Sequence, residues 1–154
     1  MIQRIQSLYL LIVAALMAVM LFVPLAVFYA GQEQIVLSAF ALRDGEGAVV
    51  LSAVYLGVLL AAVALLPLVT ILLFRRRMTQ IRLCIVEIVL LVGSLVMMGV
   101  YGYLAMQTVE SLTLAASNFR FVVVFPLVAI IFVVLAARAI FKDELLVRSL
   151  DRIR

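Results

Sequence analysis

One acidic residue interrupts an otherwise uncharged apolar run: Glu87, within residues 83–106. On insertion scales a charged residue at the bilayer centre costs about 2.5–3.5 kcal/mol, and an ionisable group kept in such a run marks a functional site by default. Depth tempers that reading. Glu87 lies five residues beyond Arg82, about 7–8 Å along a helix, so it sits near an interface rather than at the midplane. Arg138 approaches the same depth from the other direction, near the end of the last apolar run. Opposite charge at matched depth predicts a Glu87–Arg138 ion pair. Its bland role is a clamp between the third and fourth helices, and its sharper role is a proton or cation site. The clamp is the expectation.

Little else in the chain offers chemistry. There is no histidine, which removes the commonest metal ligand and the usual general base. The single cysteine, Cys84, excludes an intramolecular disulfide, thiolate cages and Cys-x-x-Cys redox chemistry. It stands three residues before Glu87 on the same helical face, where a buried thiol behaves as a small hydrophobe. No catalytic, cofactor-binding or metal-binding residue is assigned, no cofactor is expected, and the chain is not read as an enzyme.

The elements that position these residues are membrane spans. Of 154 residues, 69% are hydrophobic and 13% charged, against about 45–50% and about 25% in soluble domains; mean hydropathy is +1.38. A helix needs about 20 apolar residues to cross the bilayer core. Four runs qualify, at about 7–30, 48–74, 83–106 and 119–141. They are continuously apolar and too long for barrel strands of about 9–11 residues. Pro24, Pro67, Pro126, Gly57, Gly93 and Gly99 fall inside them, which membranes tolerate as kinks or close contacts. The first run is too long for a signal-peptide core of about 7–15 residues and reads as a retained helix.

Orientation follows from the bases. Arg4, Arg75, Arg76, Arg77, Arg82, Arg138, Lys142, Arg148, Arg152 and Arg154 fall on one side, and Arg43 and Arg120 on the other. Cytoplasmic segments carry the excess of Lys and Arg, so both termini and the 75–82 segment are expected in the cytoplasm. Tyr29, Tyr101 and Tyr103 near the outer interface and Tyr9 near the inner one agree with aromatic belts. The net charge of +4 is thus a topology signal, and nucleic acid is not an expected partner.

The outer segment 31–47 holds a short strand-like run, 35–42, and an Asp44-Gly45-Glu46-Gly47 turn. A small hairpin or a re-entrant flap is one reading; an irregular loop resting on the helix ends is the expectation. Arg75, Arg76, Arg77 and Arg82 are candidate contacts for anionic lipid headgroups. Small residues at four-residue spacing, Ala14 and Ala18, then Ala53, Gly57 and Ala61, suit close helix packing. In the basic tail, 142–154, Leu145, Leu146, Leu150 and Ile153 share one helical face, and Glu144 with Arg148 forms a favourable i, i+4 pair. This amphipathic helix would lie in the inner interface or dock on a partner.

Three segments carry a family resemblance: residues 1–10 (Met-Ile-Gln-Arg-Ile-Gln-Ser-Leu-Tyr-Leu), 80–84 (Gln-Ile-Arg-Leu-Cys) and 138–154, from Arg138 through Lys-Asp-Glu-Leu-Leu to Arg154. They resemble a family of four-helix membrane proteins of Bacteroidota, catalogued as domain of unknown function 4293. The resemblance spans the chain and implies an inner-membrane location in a Gram-negative cell. It implies no activity and no catalytic residues. It also implies an amide, typically Asn, at position 87, a departure that counts against a shared proton-carrier role for Glu87.

The expectation is therefore one all-α domain over 1–154: a four-helix transmembrane bundle, both termini cytoplasmic, with an amphipathic C-terminal helix. Its expected partners are the lipid bilayer and another membrane protein or further copies of itself. The leading role is a structural or accessory subunit. The alternative is a small oligomeric transporter or channel using Glu87.

Overall fold

The computed structural model of the chain describes residues 2–30, 33–73, 76–110, 117–119 and 121–151. Four helices carry the architecture: α1 (Ile2–Phe22), α2 (Val54–Leu72), α3 (Arg77–Glu110) and α4 (Phe125–Asp151). Each contains a segment long and apolar enough to cross a membrane. Between α1 and α2 run β1 (Ala26–Ala30), β2 (Glu33–Leu37), β3 (Ala41–Arg43) and β4 (Val49–Ser52), and β5 (Ser117–Phe119) lies between α3 and α4. The strands form one antiparallel sheet in the order β4-β3-β2-β1-β5. The chain is thus mostly helical rather than all-α.

The helices pack in a ring, α1 on α2, α2 on α3, α3 on α4 and α4 on α1. Their buried residues recur at alternating spacings of four and three: Gln6, Leu10, Val13, Met17 and Met20 on α1; Leu56, Leu60, Val63, Pro67 and Thr70 on α2; Gln80, Cys84, Glu87, Leu91, Ser94, Met98, Tyr101 and Ala105 on α3; Ala129, Val133, Ala136 and Ile140 on α4. That spacing keeps one narrow seam facing the neighbours and is the signature of helices packed nearly side by side. The opposite faces are apolar too, with Leu11, Leu65, Val89 and Ile131 all exposed. A helix apolar all round needs an apolar surrounding.

Several helix limits differ from the sequence expectation. The first run, 7–30, stops being helical at Phe22, because Pro24 disfavours helical backbone at Val23, and 26–30 becomes a strand. The second, 48–74, gives its first residues to β4 and is helical only from Val54. The third, 83–106, is extended at both ends to 34 residues, about 51 Å of helix. The fourth, 119–141, starts at Phe125 after a 3-10 turn, Phe121–Val124. It continues unbroken to Asp151, so the tail extends α4 and is not a separate interface helix.

The expected irregular loop at 31–47 is also corrected over its described residues, 33–47. Here the backbone groups are bonded in ladders, as segments leaving water require. Ile35 and Leu37 alternate with less buried neighbours and face inward with Phe28 and Leu42, the period-2 pattern of a strand with one buried face. A turn closes β3 onto β4: the Asp44 N–H donates to the Ala48 carbonyl and the Gly47 N–H to the Asp44 carbonyl. Gly47 has φ +84° there, a conformation that favours glycine. Gly57 has a different duty from helix packing. The Phe40 ring occupies the place a Cβ would need, and the neighbouring Ala53 N–H donates to the Phe40 carbonyl at 2.8 Å. The small-residue stripe on α2 therefore seats the β2–β3 connection.

Candidate functional site

Five buried polar side chains occur among the described residues: Gln6, Thr70, Gln80, Glu87 and Ser94. Four of them, Gln6 on α1, Thr70 on α2, Gln80 and Glu87 on α3, belong to the helix halves away from the sheet. The stripe that positions them is continuous with the apolar core. From Gln80 the 4-3 spacing runs to Cys84, Glu87 and Leu91, so the mostly apolar seam becomes amide, thiol and carboxyl at this end.

The pairing among these groups is partial. The Gln80 Nε2 donates to the Thr70 carbonyl at 2.9 Å, tying the start of α3 to the end of α2. The Thr70 hydroxyl donates to the Leu66 carbonyl at 2.9 Å, and the Ser94 hydroxyl to the Leu91 carbonyl at 2.7 Å. Gln6 Nε2 and both carboxyl oxygens of Glu87 have no hydrogen-bond partner. Glu87 is only 1% exposed. Each buried group left unsatisfied costs about 1–3 kcal/mol, more if charged, so an open carboxyl in a packed core demands an explanation.

The expected Glu87–Arg138 pair does not form. Arg138 is exposed, while the buried stripe of α4 passes through Ala136 and Ile140. Two residues from either, Arg138 is turned about 200° around the helix. Depth was matched but face was not. The clamp between α3 and α4 is made elsewhere, by Arg77 Nη1 to Asp143 Oδ2 at 3.1 Å, with the same nitrogen donating to the Asp143 carbonyl at 3.3 Å.

Of the candidate headgroup contacts, Arg76 and Arg82 are exposed, Arg77 is engaged by Asp143, and Arg75 lies outside the described residues. On the tail, Leu145 and Leu146 are exposed; the Leu150 side chain and Ile153 lie outside the described residues. Cys84 is a buried free cysteine. Sequence reasoning missed Gln6 and Gln80. The signal was there in the spacing: Gln80 is four residues before Cys84, and Gln6 four before Leu10.

A second feature lies toward the sheet. A cleft of about 150 Å³ opens between Leu25, Ala26 and Leu37 on one side and Leu95, Met98, Gly99 and Val123 on the other. It is apolar and carries no group for catalysis or ion binding. Among the described residues no cluster of three His, Cys, Asp or Glu side chains is placed to hold a metal.

Compared with known proteins, the chain is matched over residues 2–153 by the family model described as Domain of unknown function (DUF4293). No curated protein and no solved structure matches it.

Proposed function

The chain belongs to the family of domain of unknown function 4293, and we propose that it is an integral protein of a bacterial inner membrane, both termini cytoplasmic, acting as a structural or accessory subunit that associates laterally with another membrane protein or with its own copies. The observation that carries this reading is the exterior. Exposed apolar residues run along all four helices, from Leu8 and Leu11 through Leu65 and Val89 to Ile131, a surface suited to lipid and to other helices. The basic segments gathered at the end away from the sheet support the orientation.

The orientation is tested with single cysteines, since the native thiol at Cys84 is buried. Glu46→Cys should react with a membrane-impermeant maleimide on intact spheroplasts, and Lys142→Cys only after lysis. The reverse pattern inverts the topology. The accessory role is tested by native mass spectrometry of the full chain extracted in mild detergent. A stoichiometric larger partner or a defined homo-oligomer supports it, and a monomer under every mild condition overturns it.

A second reading, an oligomeric transporter or channel using Glu87, is favoured by the unpartnered carboxyl of that residue. Uptake of a monovalent cation or proton by vesicles containing the purified chain, abolished by Glu87→Gln, would decide for it.

A further inference from the structure

The feature left unused by a purely structural role is the Glu87 carboxyl, 1% exposed with neither oxygen bonded. A carboxylate in such a place requires a neutraliser: a basic side chain, a metal ion or a proton.

Among the described side chains, the bases at this end are spent or turned away. On α3 itself Arg77 bonds Asp143 and Arg82 is exposed. On α4 Arg138 and Lys142 are exposed. α2 has no acidic or basic residue, and its one tyrosine, Tyr55, is in the first turn, at the sheet end. α1 carries Arg4 and Tyr9; Tyr9 packs on Phe132, and the Arg4 side chain lies outside the described residues. The acidic neighbours at this end, Asp143 and Glu144, are on the α4 extension. None of these groups gives Glu87 a hydrogen bond. A metal cation needs several oxygen ligands in a shell. On the same stripe Glu87 is followed by Leu91 and by Ser94, whose hydroxyl is bonded to the Leu91 carbonyl, and Cys84 precedes it. A proton needs no shell beyond the carboxyl itself.

We propose that Glu87 is a proton-binding site, its carboxyl held protonated beneath the helix ends away from the sheet. Gln80, bonded to Thr70, stands seven residues nearer the helix end, about 10 Å from Glu87 along α3. The Arg77–Asp143 bridge lies beyond it. These two contacts close the end over the carboxyl. The buried Gln6 Nε2, without a hydrogen-bond partner, leaves that closure incompletely bonded. The inference rests on the membrane reading above and is independent of the accessory role.

The test uses the full chain in lipid nanodiscs, with its topology already checked by cysteine labelling, so that failure of the membrane reading is seen separately. The probe is N,N′-dicyclohexylcarbodiimide, an apolar reagent that adds to protonated carboxyls in apolar surroundings. The expected result is one adduct, mapped to Glu87 by peptide mass spectrometry. Its yield falls as pH rises, approaching about tenfold per unit once the site is mostly ionised, and does not change when sodium or potassium replaces choline at fixed ionic strength. Glu87→Gln should lose the adduct. If the wild-type chain shows no Glu87 adduct at any pH, the proposal is overturned, whether or not the variant folds. Suppression of the adduct by sodium or potassium would overturn it in favour of a cation site. Persistence of the same adduct in folded Glu87→Gln would show that the label lies elsewhere and overturn it as well.

Discussion

The two ends of the helical body solve the same problem in opposite ways. At the sheet end the chain leaves the helices, and its backbone donors and acceptors are paired in a five-stranded ladder over a buried Phe28, Ile35, Leu37 and Leu42. At the other end α2 and α3 are joined by a short connection, and the burden shifts to side chains: Gln80 bonds Thr70, while Gln6 and Glu87 are left open. Main-chain pairing is repetitive and completes itself strand by strand. Side-chain pairing depends on a few rotations of individual helices and can stay incomplete. An end closed by such contacts opens more cheaply, because fewer and weaker bonds hold it.

The comparison predicts a graded set of stability effects, each measurable by thermal unfolding of the full chain in one detergent. Phe28→Ala, in β1, a strand paired on both sides, should be the most damaging, at about 3–5 kcal/mol, as for buried aromatic truncations. Gly57→Ala should follow, at about 1–3 kcal/mol, because its methyl meets the Phe40 ring that seats the β2–β3 connection. At the opposite end Glu87→Met should raise stability by about 1–3 kcal/mol, the cost of an unsatisfied buried polar group that it removes. A Glu87→Met loss as large as that of Phe28→Ala would break the comparison, since the open end would then be as tightly committed as the sheet end. Arg77→Ala should be smallest, at about 1 kcal/mol or less, because the Arg77–Asp143 bridge is partly exposed. A larger loss there would sharpen the view that this bridge holds the end shut.

The particular elements explain what the sequence disclosed. Continuous apolar runs located four helices, but could not show where helix gives way to strand at 26–30 and 49–52. A short unbroken apolar run looks alike in either conformation. Pro24 was the available local sign. The tail was legible as helix, but not its continuity with α4. Glu87 stood out because charge in an apolar run is rare. Its supposed partner was matched by depth alone, and Arg138 proved to lie on the far side of α4 from the buried stripe. Gln6 and Gln80 hid because amides near a helix start read as ordinary interfacial residues until the 4-3 spacing of the seam is known.

By itself the sequence determined the number of membrane-length segments, the absence of histidine chemistry and the clustering of bases at particular connections. Those properties depend only on the local transfer cost of each side chain and on its place along the chain. The tertiary structure decided that the strands between α1 and α2 join β5 in one sheet, that Arg77 rather than Arg138 clamps α3 to α4, and that Glu87 is enclosed without a partner. Each of those depends on strand pairing across distant segments or on the rotation of one helix against another, and the packing of the whole chain sets both.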